Sequence, residues 1–105
     1  PLRPALRSWY SSRRVSLRRV HVRVHGLVQG VSYRASARDA ATSLALKGWV
    51  RNLTGGDVEA VAEGDGAGIE AFLAWCRRGP PEAKVTGVDV GEAPDGPLGA
   101  FEVRR

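Results

Sequence analysis

The sequence has 105 residues, the size of one domain with a single core. Its 43% hydrophobic and 26% charged residues exclude a chain that is disordered throughout, and no apolar run approaches the roughly 18 residues of a membrane helix. The net charge of +5 comes from residues 1–19, which carry six arginines and no acid, whereas the remainder holds 10 basic and 11 acidic side chains and predicts no nucleic-acid-binding face.

Residues 1–17 are predicted to be a basic, disordered extension, followed by one domain over residues 18–105. The extension mixes Pro, Ser and Arg without periodicity and lacks the apolar centre of a secretory signal. An incidental extension, a targeting segment and a weak polyanion-binding tail all fit it. Cys76 is the only cysteine, so no internal disulfide can form, and we expect a cytoplasmic monomer.

Alternating apolar and polar residues predict a first, half-buried strand from Arg18 onward. A loop from Gly26 to Gly30 follows, and Ser32 stands where a side-chain N-cap would begin a helix. Gly48 is predicted to close that helix. Its apolar positions recur at near-helical spacing: Tyr33, Ala37, Ala40, Ala41 and Leu44.

The rest of the chain predicts a hairpin, a second helix and two final strands. The segments "WVRNL" and "DVEAVAEG" are joined across Thr54, Gly55 and Gly56. Asp65 caps the second helix, which Pro80 and Pro81 stop. Its buried face is predicted from i, i+3, i+4, i+7 spacing: Ile69, Phe72, Leu73 and Cys76. The order β-α-β-β-α-β with a short last strand predicts an α+β, ferredoxin-like sandwich with two helices on one face of an antiparallel sheet.

The loop before the first helix has the chemistry of an anion site. Helix-start N–H groups lack partners and carry partial positive charge, and Gly26 and Gly30 let the backbone curl so that amides converge. Arg34 falls in the first helical turn, where its guanidinium can meet two phosphoryl oxygens. The local pattern favours a phosphate, although a solvated arginine after a common glycine turn fits it equally well.

Two segments resemble the signatures of the acylphosphatase family. "GLVQGVSYR", residues 26–34, is similar to G-x-V-Q-G-V-x-F-R. Residues 48–64, "GWVRNLTGGDVEAVAEG", resemble the block G-W-V-x-N-x-x-x-G-x-V-x-x-x-x-x-G. The resemblance covers about residues 18–105 and leaves the basic extension outside.

This resemblance implies hydrolysis of acyl phosphates to a carboxylate and inorganic phosphate, without metal or cofactor. Arg34 and Asn52 match the family's catalytic pair: Arg34 would bind the phosphoryl group and Asn52 would position the attacking water. No nucleic acid or membrane partner is implied, and nothing in the motif reads the acyl group. The residues that would bind phosphate, mainly through backbone amides, are Gly26, Leu27, Val28, Gln29, Gly30, Val31, Ser32 and Arg34.

Three residues depart from the family pattern. Tyr33 replaces phenylalanine before the arginine and adds a hydroxyl that needs a partner. Ala37 stands where threonine is frequent and Ala45 where glycine is frequent, and both are expected within the first helix. These changes bear on rate or substrate fit and leave the predicted catalytic pair intact.

Other candidate residues have structural interpretations. His21 and His25 alternate on one strand face and are predicted to be polar sheet-surface residues without a metal. Cys76 and Trp75 are predicted to pack in the core, and Trp49 to support the strand that carries Asn52. Three alternatives remain. The absence of aromatic residues in strands 18–25 and 57–64 disfavours an RNA-binding module. The intact Arg34 and Asn52 disfavour a phosphate or carboxylate sensor without turnover, and the short chain disfavours a domain detached from a larger carbamoyl-transfer enzyme.

Overall fold

The computed structural model describes residues 17–105, in which five strands and two helices alternate along the chain. The first strand begins at Leu17, and the rest of the predicted basic extension lies outside the described residues. The strands are β1 Leu17–Leu27, β2 Lys47–Asn52, β3 Val58–Asp65, β4 Lys84–Gly91 and β5 Glu102–Arg104, and the helices are α1 Tyr33–Ser43 and α2 Gly66–Arg78.

The strands form one sheet in the order β4-β1-β3-β2-β5. All neighbouring pairs are antiparallel except β2 and β5, which run parallel. Since β1 and β2 both pair with β3, they run in the same direction on either side of it, and α1 connects them. Likewise α2 connects β3 to β4 across β1. This is the α+β, ferredoxin-like arrangement predicted from the sequence, which is thereby confirmed.

The hydrophobic core lies between the two helices and one face of the sheet. Alternate residues of β1 are buried because a strand points successive side chains to opposite faces. The predicted apolar face of α2 is confirmed, and all four of its residues are at most 3% exposed. Burying a valine, isoleucine or phenylalanine side chain contributes about 1.5–3 kcal/mol each, so this layer supplies most of the folding free energy. The largest fully buried side chains are Phe72, Ile69, Val22, Val24, Val28, Val50, Val58, Val61 and Cys76.

The end of the first helix differs from the sequence prediction. Helix α1 ends at Ser43, and Gly48 lies inside β2, so the prediction that Gly48 closes the helix was wrong. The prediction that Ala45 lies within the helix was also wrong: its φ is +57°, a left-handed conformation that reverses the chain after the helix. A glycine would adopt that conformation without a Cβ penalty, which is a physical reason for glycine at this position.

The opposite face of the sheet is mostly polar, although the buried Val61 lies on it beside Trp49. The Nε2 atom of His21 lies 2.7 Å from Oε2 of Glu59, while His25 is placed between two aspartates, with Nδ1 2.9 Å from Asp57 and Nε2 2.7 Å from Asp89. The hydrogen bond with Asp89, reinforced by Asp57, raises the pKa of His25 above its usual value. Both histidines therefore lie on the sheet surface, as predicted, and contact carboxylates there.

Candidate active site

A pocket of about 280 Å³ opens where the β1–α1 loop, the start of α1 and the end of β2 meet. Arg34 and Asn52, which the sequence analysis paired, both line it. The lining contains two arginines and no carboxylate. Its residues are Val28, Gly30, Ser32, Tyr33, Arg34, Ala35, Arg38, Asn52 and Val103.

The loop at the pocket's edge has the curled backbone that its glycines predict. Gly26 has φ +125° and Gly30 has φ +77°, both in the region that favours glycine. Gly26 also packs directly against β4, where a Cβ would collide with the carbonyl oxygen of Lys84. A Cβ at Gly30 would meet open space, so the positive φ is the reason for glycine at this position. The two glycines thus have different roles, one at the sheet and one at the pocket.

Ser32 occupies the N-cap position of α1, but its side chain makes no capping hydrogen bond. The prediction of a side-chain cap was therefore wrong. Ser32 has φ +62° and ψ +24°, whereas a capping side chain reaches the first-turn amides from an extended backbone. The first helical hydrogen bond runs from the Ser36 amide to the Ser32 carbonyl, so the N–H groups before Ser36 have no acceptor within the helix. These donors border the pocket, where an anion can satisfy them.

The side chain of Gln29, which lies in the β1–α1 loop, holds this loop against the β2–β3 turn. Its Nε2 donates to the backbone carbonyls of Leu53, at 2.7 Å, and Asp57, at 2.9 Å, on the β2–β3 turn. Asp57 is in turn held by Arg23 and His25, and the hydrogen bond from Arg23 is the main reason that the pKa of its carboxyl lies below the usual range. The sequence analysis missed this side-chain role. The available signal was a lone amide side chain in a glycine-flanked apolar loop.

Arg34 is half-buried in the first turn of α1, and its Nη1 donates to the backbone carbonyl of Arg104 in β5, at 3.2 Å. No carboxylate within residues 17–105 forms an ion pair with Arg34. Arg104 is itself steadied, because its guanidinium stacks on the ring of Trp49 at 5.1 Å and pairs with Glu102. Arg34 is thus oriented by a neutral acceptor while its charge stays available to an anion.

Asn52 ends β2 at the pocket wall. Its Oδ1 is buried and has no hydrogen-bond partner among the described residues. An unsatisfied buried acceptor costs about 1–3 kcal/mol. A half-turn of the amide exchanges the positions of its oxygen and nitrogen, so the acceptor can take either position. Asn52 therefore has a buried acceptor without a partner among the described residues, at the wall of the pocket.

No activated nucleophile or general base lines the pocket. Tyr33 is buried beneath it, and its hydroxyl donates to the Cys76 carbonyl at 2.8 Å, which is the partner that the tyrosine was predicted to need. Burial raises the pKa of Tyr33 above its usual value and that of the nearby Cys76 thiol to about 12, so both stay protonated. The arrangement can bind an anion and orient a water, but it offers no side chain for covalent catalysis.

The comparisons with known proteins agree with this geometry. The acylphosphatase family model matches residues 20–103. An acylphosphatase of Methylococcus capsulatus is 60% identical over 90 residues, which span 85% of this chain and 98% of the relative. The chain belongs to the acylphosphatase family.

Solved structures give the same result for the fold. The structure of an acylphosphatase from Coxiella burnetii superposes with a TM-score of 0.82 at 40% identity, covering 90% of this chain and 99% of that one. Full-length HypF, solved in its phosphate- and nucleotide-bound form, matches with a TM-score of 0.77 at 27% identity, but the match covers 85% of this chain and only 12% of HypF. The fold therefore occurs both in small acylphosphatases and inside a much larger protein.

Neither helix within residues 17–105 has the length and apolar character of a membrane span. These residues also contain no group of three or more His, Cys, Asp or Glu side chains that could hold a metal ion.

Proposed function

We propose that this acylphosphatase-family chain hydrolyses the carboxyl–phosphate bond of acyl phosphates by direct attack of water on a bound phosphoryl group. The observation that carries the proposal is the convergence in one pocket of an arginine without an acidic partner, uncapped helix-start amides and an unsatisfied carboxamide. The phosphoryl group would supply the anionic partner for the arginine and the amides, and the attacking water would supply the partner for the carboxamide.

Arg34 and the loop amides bind the phosphoryl group. The guanidinium fork meets two phosphoryl oxygens, and the amides before Ser36 together with the loop backbone meet the others. Negative charge spread over the equatorial oxygens in the transition state is stabilised by donors that are already in place. Gln29 and Arg104 hold these donors still, which reduces the reorganisation needed during the reaction.

Asn52 positions the water. Its amide oxygen, turned to the pocket, accepts a hydrogen bond from the water without adding negative charge beside the phosphate. The water oxygen forms a bond to phosphorus as the bond from phosphorus to the acyl oxygen breaks, and the electron pair leaves on the carboxylate. The water's proton passes to the phosphate or to solvent. A carboxylate is a weak base, so the leaving group needs no general acid.

The reaction proceeds without a metal ion. The pocket lining contains no carboxylate that could hold a metal ion, and the Arg34 guanidinium takes the place of a metal in neutralising phosphoryl charge. EDTA in the assay tests this part of the proposal directly, because a metal-dependent enzyme would lose turnover.

The chain is further proposed to act as a cytoplasmic monomer. The single cysteine is buried, and the large hydrophobic side chains that the described residues expose, Leu17, Leu27 and Val90, are separated from one another in the sheet. Scattered apolar residues of this kind do not make an oligomer interface. Light scattering at assay concentration should give the mass of one chain, and a dimer mass would overturn this part.

The decisive assay follows benzoyl phosphate hydrolysis by absorbance with EDTA present. We expect Arg34→Ala to lower kcat/KM by about 10³-fold and to weaken competitive inhibition by phosphate, because both ground and transition states lose the guanidinium. Asn52→Ala should lower kcat by about 10²-fold with little change in KM, because it affects water and not phosphate. Lys47→Ala, at the opposite end of β2, removes a charge far from the pocket and should leave both constants unchanged. A folded parent chain without turnover would refute the proposal.

A further inference from the structure

A second arginine, Arg38, lines the pocket beside Arg34. The two lie four residues apart on α1, so their side chains share one face of the helix. Like charges at this spacing destabilise a helix by about 0.2–0.5 kcal/mol. Anionic groups bound at each of the two arginines would remove that repulsion. The sequence analysis found nothing that reads the acyl group, and it overlooked this residue.

Arg38 has only a weak partner in the described residues. Its Nε and Nη2 both lie 3.4 Å from a single oxygen of Asp39, beyond the usual range of an N–H···O hydrogen bond, and the Asp39 side chain is 74% exposed. Exposed pairs of this geometry contribute little to stability. The Arg38 guanidinium can therefore turn to a ligand at small cost.

The position of Arg38 separates it from the phosphoryl site. Four residues along a helix correspond to a rise of about 6 Å, so Arg38 lies one turn beyond Arg34 and away from the loop amides at the start of α1. A phosphoryl group bound by the loop and Arg34 directs its acyl part out of that cradle. The pocket wall also includes the apolar residues Ala35 and Val103. An acyl chain can lie against this wall and end at Arg38.

We propose that Arg38 determines specificity by binding a second anionic group on the acyl portion, so that the favoured substrates are acyl phosphates that carry a carboxylate or a phosphate at the far end. This inference rests on the proposed acylphosphatase reaction. The guanidinium fork suits either group, because both present two oxygens to its paired N–H groups. Arg38 contacts only this distal group and takes no part in the chemical step.

The test compares substrates that differ only opposite the acyl phosphate: benzoyl phosphate, its 4-carboxy and 4-phosphono derivatives, and the neutral 4-carbamoyl derivative as a polarity control. We expect Arg38→Gln to lower the kcat/KM ratio of an anionic substrate to benzoyl phosphate by about 3- to 10-fold, with benzoyl phosphate itself unchanged. Arg38→Glu should lower the ratio further, and added salt should lower it in the parent. The two anionic derivatives show which group is preferred.

Lys47→Gln is the matched control, since it also removes one positive charge. Lys47 begins β2, whereas Asn52 at the end of β2 lines the pocket, so this variant should leave the ratio as in the parent. The same ratio in the parent, Arg38→Gln and Arg38→Glu would overturn the role of Arg38 while leaving the hydrolase intact. If no substrate is hydrolysed, the proposed function fails. In that case calorimetric affinities of 4-carboxybenzylphosphonate and benzylphosphonate still test Arg38, because an unchanged affinity ratio in Arg38→Gln would refute its role without any turnover.

Discussion

The two helices of this fold begin in opposite ways. Helix α2 starts at Asp65, whose side chain accepts a hydrogen bond from the Ala67 amide at 3.0 Å and so caps the helix from within. Helix α1 starts at Ser32, whose left-handed backbone keeps its side chain from capping. The first-turn amides of α1 therefore have no side-chain cap and border the pocket, and Gln29 holds the loop before them.

This difference separates stability from function. A side-chain cap satisfies amides at the helix start and typically contributes about 1 kcal/mol to the free energy of unfolding. An uncapped start forgoes that free energy and keeps the donors for a ligand. The proposed binding site therefore lies at the helix end that is less stable by itself, and contacts from the β2–β3 turn and β5 stabilise that end.

Among the changes that test this comparison of helix starts, the largest effect is expected at Gln29, which holds the β1–α1 loop against the β2–β3 turn. Gln29→Ala removes two hydrogen bonds, each contributing about 1 kcal/mol, so the loss of about 2 kcal/mol of loop order should weaken the affinity for inorganic phosphate by about 30-fold. Isothermal titration measures it. Ser43→Ala, which removes a side-chain hydrogen bond to Ala40 at the other end of α1, is the control and should bind phosphate normally. Equal affinity in both variants would contradict a supporting role for Gln29.

Ser32→Asp should make the start of α1 resemble that of α2 in charge. A carboxylate there interacts favourably with the helix dipole, contributing about 0.3–1 kcal/mol to the free energy of unfolding, but it repels phosphate, whose affinity should fall severalfold. Urea denaturation and phosphate titration measure the two effects. Ser43→Asp places the same charge at the far end of α1 and should weaken stability without affecting phosphate. Loss of binding in both variants would point to net charge instead of position.

Asp65→Ala should remove the side-chain cap at the start of α2. Loss of the cap lowers the free energy of unfolding by about 1 kcal/mol, while kcat/KM for benzoyl phosphate stays as in the parent. Asp65→Asn keeps an acceptor at the cap and should recover most of the stability. A drop in turnover in Asp65→Ala would show that the two helix starts are not independent.

The smallest effect is expected at His25, which supports Asp57 beneath the loop. Because the folded-state pKa of His25 is raised, its contribution is complete below about pH 6.5 and disappears as the pH rises through the folded pKa. His25→Gln should therefore destabilise the protein most near pH 5.5 and least near pH 9. Urea denaturation across this range measures it, and a pH-independent difference from the parent would contradict the ion-pair role.

Most of the architecture could be predicted because it follows from local patterns. Alternation defined β1, periodicity defined the buried face of α2, and Asp65 marked where that helix begins. The end of α1 could not be predicted in the same way. Ala45 adopts a left-handed conformation that its residue type disfavours, so the reversal of the chain left no glycine signal before Gly48.

The site was predictable only in part. The segments around Arg34 and Asn52 resemble family signatures, and the fold brings both residues to one pocket. The bonds of Gln29 to the β2–β3 turn depend on tertiary geometry that no local pattern encodes. Arg38 was overlooked although its spacing of four residues from Arg34 places both on one helix face. Ser32 had the residue type of a cap but the wrong backbone conformation for one.

The most direct test of the central claim is a titration of the isotope-labelled protein with inorganic phosphate, followed by amide NMR. The account predicts saturable shifts of the amides in residues 26–35, at the uncapped start of α1, and none in residues 65–68, at the capped start of α2. The shifts should vanish in Arg34→Ala. Equal shifts at both helix starts, or saturable shifts that persist without Arg34, would contradict the assignment of this pocket as the phosphate site.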